Sequence, residues 1–427
     1  MNNKLFQFIE KSPTAFHTVE NIRQALEEKG FKRLYEGTKW SGLRGGKFYV
    51  IRNQSSIIAF KVPEDDVNGF MIAATHSDSP CFKIKENPSF ADGSYTKLSV
   101  ERYGGMINST WLDRPLSVAG RVVYKAEDTV KSTLIDFEEP IAIIPNVAIH
   151  LNRNANENTT LNAATDLVPV ISLGDNADSF KDCVADLAGV SKDNILSSDL
   201  FVYNTDKGVE YSDFISAPRL DDLQCVFASL ESFIAADNNI SIPVLAVFDN
   251  EEVGSSTKQG ADSDFLGAVL LKLSSSIGMD SADFCDLTAR SFMLSCDNGH
   301  AVHPNHPELT DKQNAVKMGE GVVIKYNANQ KYCTDAVSSS LVKVLCNRAD
   351  VPYQAYANRS DIAGGSTLGN IANTHLSLLT ADIGLAQLSM HSAFETAGKD
   401  DTLYMTKLLS EFFSSSLEIS EDNSYKI

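Results

Sequence analysis

The chain has 427 residues, of which 43% are hydrophobic and 22% charged, a composition typical of a folded protein with room for two or three domains. Its formal net charge of −19 repels phosphate backbones and anionic lipid headgroups, so we expect neither nucleic acid nor a membrane as a partner. Seven scattered cysteines without a Cys-x-x-Cys pair, and a start that lacks the apolar core of a secretory signal, indicate a reducing, cytoplasmic location.

The N-terminal part of the sequence predicts two helices followed by strands. Apolar residues recur at helical spacing before Gly30, and the second helix is predicted to begin at Ser12-Pro13. The nearly all-apolar run 69–75 indicates a strand that is buried on both faces. Further along, buried strands are predicted at 242–248, 291–295 and 376–380, and they alternate with helical patterns at 223–236 and 335–347.

A different pattern lies between two of these buried strands. Residues 84–207 contain short β-like pieces that are broken by turn-rich polar stretches. We therefore predict an α/β fold, with a mixed central sheet sandwiched by helices, which is formed by residues 1–83 and 208–427. Residues 84–207 are predicted to form an inserted β-rich domain.

Residues that could bind metal follow the predicted buried strands. They are His76-Ser-Asp78, Asp249-Asn-Glu251-Glu252, Asp297, and His391 in the loop after the last strand. In open α/β sheets, ligands bind beyond the carboxyl ends of the strands. Each residue alone is typical of a solvated loop, but four strands that end in this way favour a site for zinc, manganese or cobalt.

Three carboxylates have a more specific predicted role. Asp78 could hold the second ring N–H of His76, as a ligating imidazole requires. On an extended segment, Glu251 and Glu252 would point apart, so that one binds metal and the other accepts a proton. Asp221 lies at the start of a helix and is either its N-cap or a bridge between two cations about 3.5–4 Å apart.

Several longer motifs carry a resemblance to a known family. They include Thr75-His-Ser-Asp-Ser-Pro-Cys81, Ile149-His-Leu-Asn-Arg153, Pro218-Arg-Leu-Asp221, Asp249-Asn-Glu-Glu-Val-Gly254, Ser295-Cys-Asp-Asn-Gly-His300 and Leu388-Ser-Met-His-Ser392. Through these motifs the sequence resembles the aspartyl aminopeptidases, which are dinuclear zinc peptidases, over almost its whole length.

The resemblance implies a set of site residues. Two divalent cations, zinc or alternatively manganese or cobalt, are implied to bind His76, Asp221, Glu252, Asp297 and His391, with Asp221 as the bridge and Glu251 as the general base. Contacts with substrate are implied for His150, His300, Lys325 and Tyr332. His150 is also an alternative metal ligand, and it resembles the residue that reaches a neighbouring subunit's site. A homo-oligomer, typically a tetrahedral dodecamer with dimer contacts from 84–207, is implied as well.

Lys325 and Tyr332 give the implied specificity a physical basis. In a strongly acidic chain, an ammonium and a phenol can pair with the side-chain carboxylate of a substrate. We therefore expect an aminopeptidase that removes N-terminal Asp or Glu from peptides, with Glu251 and Asp78 as catalytic residues. The alternatives are a related dinuclear aminopeptidase or deacylase of broader specificity, and a non-catalytic scaffold of the same fold.

Two further features concern the surroundings of the site. Four sites depart from the family pattern, namely Asp222, Asn298-Gly299, Gly364-Gly365 and Phe394, and they bear on the finer shape of the substrate pocket. The run His300-x-x-His303-x-x-His306 is interpreted as a loop near the site rather than a second metal site. Pro304 and Pro307 prevent the helix that would align its rings.

Overall fold

The computed structural model describes residues 1–157 and 160–427. Its helices are α1 (Asn2–Glu10), α2 (Ala15–Glu28), α3 (Ala177–Ala188), α4 (Leu220–Ala235), α5 (Phe265–Ser276), α6 (Ser281–Ala289), α7 (Ala336–Arg348), α8 (Leu368–His375) and α9 (Asp401–Ser414). The strands before α4 are β1 (Lys32–Leu34), β2 (Lys47–Arg52), β3 (Ser56–Lys61), β4 (Phe70–His76), β5 (Cys81–Asp92), β6 (Tyr95–Tyr103), β7 (Leu116–Ala126), β8 (Thr129–Asp136), β9 (Val170–Leu173), β10 (Ile195–Asn204), β11 (Val209–Tyr211) and β12 (Phe214–Ala217). The later strands are β13 (Ile242–Phe248), β14 (Phe292–Cys296), β15 (Gly299–His300), β16 (Val322–Tyr326), β17 (Tyr353–Ala357), β18 (Leu379–Gly384), β19 (Ala386–Leu388), β20 (Glu395–Gly398), β21 (Glu418–Ile419) and β22 (Tyr425–Lys426).

A nine-stranded mixed sheet lies at the centre of the fold, with the strand order β1-β2-β3-β13-β4-β14-β18-β16-β17. Its middle strands β13, β4, β14 and β18 all run parallel to one another. Their carboxyl ends therefore meet at the same edge of the sheet, which is where ligands bind in folds of this type.

Alternate side chains of the central strands enter two separate hydrophobic cores. In β4, Met71 and Ala73 pack in a core that includes residues of α1, α2, α4 and α9, whereas Ile72 and Ala74 pack in a core with residues of α5 and α8. Because helices cover both faces, these strands are apolar at nearly every position. The predicted α/β fold, with a mixed central sheet sandwiched by helices, is confirmed.

The strands between β4 and β11 form a second, antiparallel sheet of six strands in the order β8-β7-β10-β5-β6-β9. This sheet has a hydrophobic core of its own, in which Phe82, Trp111 and Leu200 pack with Phe180 of α3. The β-rich character predicted for 84–207 is thus present in this region. The domain boundaries and the dimer contacts of the region stay predictions.

A smaller sheet of five strands, with the order β11-β12-β20-β19-β15, connects the candidate site residues of the C-terminal half. His300 in β15 pairs with Gln387 in β19, and the loop between β19 and β20 carries His391. In the described part of the chain, no helix has the length and apolar character that crossing a membrane requires.

Two element boundaries predicted from the sequence are wrong. The second helix begins at Ala15 rather than Pro13, because the Ser12 hydroxyl accepts a hydrogen bond from Asn21 at 3.1 Å and Thr14 takes the N-cap position. The strand predicted at 376–380 is β18, which runs from Leu379 to Gly384 and contains the charged, fully buried Asp382. A buried carboxylate interrupts the apolar run that would have revealed this strand.

Candidate metal centre

Three neighbouring strands of the central sheet end at the candidate site. His76 is the last residue of β4, Asp297 directly follows β14, and Glu251 lies shortly after β13. Side chains in these positions project beyond the same edge of the sheet because the strands are parallel neighbours.

The structure brings seven predicted or adjacent side chains together in three overlapping groups. They are His76 with Asp221, Asp222 and Asp297; His76 with Glu251 and Glu252; and Asp221 with Glu252 and His391. Within each group, the potential ligand atoms all lie within 4.8 Å of one another.

Asp221 joins the two imidazoles through different oxygens. Its Oδ1 lies 3.4 Å from Nε2 of His76, and its Oδ2 lies 3.6 Å from Nε2 of His391. Asp221 makes no N-cap hydrogen bond among the described residues, and its Oδ1 has no hydrogen-bond partner there. The backbone of Asp221 and Asp222 is not helical, so the regular turns of α4 begin after them. A carboxylate with one oxygen toward each imidazole has the geometry that a bridging ligand needs.

Both imidazoles are oriented by backbone carbonyl groups. Nδ1 of His76 lies 3.0 Å from the carbonyl oxygen of Asp78, and Nδ1 of His391 lies 2.9 Å from that of Gly105. The Asp78 carboxylate is farther from the same nitrogen, at 3.5 Å, so Asp78 orients His76 mainly through its backbone. Fixing Nδ1 in this way leaves Nε2 of each ring directed at Asp221.

The donor set fits divalent cations. Oδ1 of Asp221 and Oε1 of Glu252 are buried without a hydrogen-bond partner among the described residues, which is costly unless a cation compensates them. Burial and the charge of Asp221 raise the pKa of Glu252 well above its usual range. Burial would lower the pKa of His391, but its hydrogen bond to Asp221 and the charge of Glu252 raise it to about 10. Surroundings that favour positive charge this strongly also favour metal ions.

The sequence predicts an extended segment at Glu251 and Glu252, and this prediction is wrong. Asn250 adopts a left-handed conformation, with φ of 63°, and residues Glu251–Val253 form a 3-10 turn. The carboxylate of Asp78 holds this turn, because its two oxygens accept the backbone N–H groups of Glu251 at 3.1 Å and Glu252 at 3.2 Å. The charged group of Asp78 therefore positions the two glutamates.

Glu251 and Glu252 nevertheless have different surroundings. Oε2 of Glu252 lies 3.4 Å from Nε2 of His391. Burial raises the pKa of Glu251 to about 8, the charge of His76 opposes the rise, and the charge of Asp297 adds to it. A carboxylate with a pKa close to neutrality is suited to accepting and returning a proton.

Lys325 lies under the site and is almost fully buried, with 2% of its side chain exposed. Its Nζ lies 3.5 Å from Oδ2 of Asp297, donates a hydrogen bond to the carbonyl oxygen of Asn298 at 2.8 Å, and lies 5.5 Å from the ring centroid of Tyr332. Burial would lower the pKa of Lys325, but the charge of Asp297 and other acidic groups outweigh it, so the pKa is raised. Lys325 is therefore a buried, charged ammonium.

The two histidines predicted to contact substrate have different surroundings: His300 is close to Lys325, whereas His150 is outside the metal-binding groups of the described residues. His300 retains an exposed surface, but the protein around its ring and the charge of Lys325 lower its pKa. His150 lies in an exposed turn and, among the described residues, belongs to none of the groups that could hold a metal. His303 and His306 have ring centroids 5.2 Å apart, and they too lie outside those groups.

Glu395 was missed by the sequence reasoning. Its buried carboxylate accepts the backbone N–H of Asp221 at 3.0 Å through Oε2 and that of His391 at 2.7 Å through Oε1. Burial and the charge of Asp221 raise the pKa of Glu395 to about 8. An acidic residue four positions after His391, at the start of a strand that is otherwise apolar and small, was the available signal.

Comparisons with known proteins identify relatives of this chain along almost its whole length. The model of the family described as aminopeptidase I zinc metalloprotease (M18) matches residues 8–413. A Clostridium novyi protein named "Probable M18 family aminopeptidase 2" is 45% identical over 424 residues, which cover 96% of this chain and 98% of that protein.

Two solved structures extend the likeness to three dimensions. A chain in the cryo-EM structure of the Ape4 and Nbr1 complex matches with a TM-score of 0.93 and 34% identity, over 96% of this chain and 85% of that one. The S. cerevisiae mApe1 dodecamer structure matches with a TM-score of 0.85 and 30% identity, over 96% and 95% of the two chains. The chain therefore belongs to the M18 family of aminopeptidase I zinc metalloproteases.

Proposed function

We propose that this M18 aminopeptidase uses two divalent cations to remove an N-terminal Asp or Glu from peptides. The buried, charged Lys325 is the observation that carries the acidic preference, because it lies 3.5 Å from Asp297 at the base of the site. In a chain with a net charge of −19, an acidic substrate needs a local cation of this kind.

The residues that would hold the cations are His76, Asp221, Glu252, Asp297 and His391, with Asp221 shared. When bound, the cations would supply Lewis-acid polarisation of the peptide carbonyl and lower the pKa of a water molecule. Glu251 would take the proton of the attacking water and return it to the leaving amine. Asp78 would keep Glu251 in position through the backbone N–H that it accepts at 3.1 Å.

The proposed recognition of the substrate side chain depends on an unused donor. An ammonium has three N–H donors, and those of Lys325 face the carbonyl oxygen of Asn298 at 2.8 Å and Oδ2 of Asp297 at 3.5 Å. The third donor can form a charge-assisted hydrogen bond with an Asp or Glu carboxylate of the substrate. Tyr332 turns its ring toward Nζ at 5.5 Å, so it would stabilise the ammonium as well as line the pocket.

A substrate panel tests this specificity. Apo protein is reconstituted separately with zinc, manganese or cobalt, and kcat/KM is measured for Asp-, Glu-, Ala- and Leu-anilides. We expect the acidic substrates to be preferred over the Leu substrate by about 100-fold or more, as loss of a charge-assisted contact implies. Equal rates would support the broader aminopeptidase, and a preference for Leu would contradict the proposal.

We also propose a cytoplasmic homo-oligomer in which the loop around His150 contacts a neighbouring subunit. The dodecamer of the S. cerevisiae relative and the exposure of Val147, Ile149 and Leu151 beside His150 support this, since clustered exposed apolar residues mark interfaces. Light scattering should give a mass many times that of one chain, whereas a monomer would contradict it. Mixing the His150→Ala and Glu251→Gln variants should restore part of the activity if His150 serves a neighbour's site.

A further inference from the structure

A cavity borders the candidate metal centre at Asp221. It has a volume of about 390 Å³ and is lined by residues 12–16, by the six-stranded sheet, and by Arg219. It shares Asp78, Asp221 and Glu395 with the metal centre, whereas the other proposed metal ligands and Glu251 do not line it. Its size is within the range of small-molecule binding sites.

Four cations line this cavity, of which Lys83 and Arg121 pair with Asp199, whereas Arg219 and the exposed Lys258 form no ion pair in the described part of the chain. Arg219 donates hydrogen bonds to the carbonyl oxygens of Ile9 at 3.1 Å and Asn204 at 3.4 Å, and its Nε is buried without a partner. A guanidinium has five N–H donors, and two hydrogen bonds of the Arg219 guanidinium are present among the described residues, so donors remain for a ligand.

The acidic side chains that line the cavity are engaged with other groups. Asp199 pairs with Arg121 at 2.7 Å and Lys83 at 3.1 Å, which leaves this trio with a surplus positive charge. The other acidic lining residues are Asp78, Asp221, Asp249 and Glu395, which bind backbone N–H groups or imidazoles. Among the described residues, no carboxylate accepts a hydrogen bond from Arg219, whose bonds go to the carbonyl oxygens of Ile9 and Asn204.

Aromatic rings form much of the remaining wall. They belong to Phe16, Tyr103, Trp111, Phe201 and Tyr203. The guanidinium of Arg219 lies 5.5 Å from the ring centroid of Tyr203, so the cation and an aromatic surface are adjacent. A planar guanidinium matches a carboxylate in a two-pronged geometry, and aromatic walls favour a ligand with an apolar body.

We propose that this cavity binds a small organic carboxylate that pairs with Arg219 and packs its apolar part on the aromatic wall. The site borders the proposed catalytic residues Asp78 and Asp221 but does not depend on the acidic specificity proposed above. Because Asp221 lines the cavity, an occupant would lie beside the proposed bridging carboxylate.

Benzoate is the probe that tests the site, with benzamide as its neutral isostere. Each is titrated into the metal-loaded protein by calorimetry at matched ionic strength. We expect benzoate to bind with a Kd in the range of about 0.1–1 mM and benzamide to bind at least about tenfold more weakly. Absence of benzoate binding up to about 10 mM, or equal binding of the two compounds, would overturn the proposal.

Two variants locate the binding. Arg219→Gln removes the cation. Ala15→Trp places a large side chain in the cavity and leaves Arg219 intact. The second variant therefore still tests the proposal if Arg219→Gln fails to fold. Both should weaken benzoate binding by about tenfold or more, whereas Lys4→Gln, which removes an exposed charge elsewhere, should not change it. Benzoate affinity that is unchanged in Ala15→Trp would mean that it binds at the metal centre, and would overturn the proposal.

Discussion

Nζ of Lys325 lies 3.5 Å from Oδ2 of Asp297, so the proposed specificity cation and a proposed metal ligand form one buried ion pair. Asp297 would share its negative charge between a metal ion and Lys325. The binding of an acidic side chain is thereby coupled electrostatically to the metal centre. Removing Lys325 should consequently affect acidic substrates far more than neutral ones.

Lys325→Met is expected to lower kcat/KM for an Asp-anilide by about 100-fold, on the order of 3 kcal/mol, while changing that for an Ala-anilide by less than about fivefold. The apolar replacement keeps most of the buried volume, so the fold should be retained. Lys331→Met is the matched control, because Lys331 is exposed in the same loop as Tyr332. An equal loss for both substrates would instead assign Lys325 a structural or metal-binding role.

Glu251→Gln is expected to lower kcat by about 10²–10⁴-fold with little change in metal content, because the amide cannot accept the proton of the attacking water. Glu252→Gln should differ, since Glu252 faces His391 at 3.4 Å and its loss weakens metal binding. Single-turnover rates and elemental analysis of the two variants distinguish the roles. Metal loss in Glu251→Gln, with full occupancy in Glu252→Gln, would reverse the two assignments.

Asp78→Asn is expected to reduce kcat by about 10–100-fold, with KM nearly unchanged. Glu251 N–H and Glu252 N–H donate to different oxygens of Asp78, and Asn replaces one of these oxygens with an NH₂ group that cannot accept. Tyr103→Phe removes the 2.7 Å hydrogen bond to Oδ2 of Asp78 and the 2.8 Å hydrogen bond that the Tyr103 hydroxyl accepts from Asn250. Both N–H bonds of the turn to Asp78 are kept, so a smaller loss is expected. A Tyr103→Phe variant more impaired than Asp78→Asn would argue against this positioning role.

Asp401 should make folding stability depend on pH. Its carboxylate accepts the N–H of Gly319 at 2.8 Å, but burial raises its pKa from 3.8 to about 7. The folded state then binds more protons than the unfolded state between these values, so the wild type loses stability as pH rises through this window. Asp401→Asn removes this pH dependence. The free energy of unfolding that it affects changes by about 1.4 kcal/mol per pH unit, on the order of 4 kcal/mol in total.

Denaturant unfolding from pH 4 to pH 8 checks this expectation. The stability of Asp401→Asn relative to the wild type should increase from about pH 4 to about pH 7 and then level off. Asp65→Asn, at an exposed position, serves as the control and should follow the wild type. Parallel curves for Asp401→Asn and the wild type would show that Asp401 titrates alike in both states.

The approach of His76, Glu251 and Asp297 to one another could be predicted from the sequence. Each follows an apolar run long enough for a buried strand, and the carboxyl ends of parallel strands meet at one edge. The local conformation at Glu251 could not be predicted in the same way. The 3-10 turn there depends on a left-handed Asn250 and on the distant carboxylate of Asp78.

Other parts of the site depend on contacts that are remote in sequence. The carbonyl oxygen of Gly105 lies 2.9 Å from Nδ1 of His391, although the two residues are 286 positions apart in the sequence. No local sequence pattern indicates such a pairing. Likewise, strand β18 could not be recognised as an apolar run because it contains Asp382. The Asp382 carboxylate accepts hydrogen bonds from the Thr367 hydroxyl at 2.6 Å and from the backbone N–H of Cys333 at 2.7 Å, and only folding brings these partners together. Buried polar groups are identified by their partners, which the sequence does not show.

Counting metal ions tests the shared ligation by Asp221 most directly. We predict by elemental analysis about two divalent ions per subunit in the wild type and about one or fewer in Asp221→Ala, with activity lost in the variant. His17→Ala, away from the metal-binding groups, should retain about two. Full occupancy in Asp221→Ala would contradict a bridging role, and a wild-type protein that binds no metal and hydrolyses no peptide would contradict the enzyme itself.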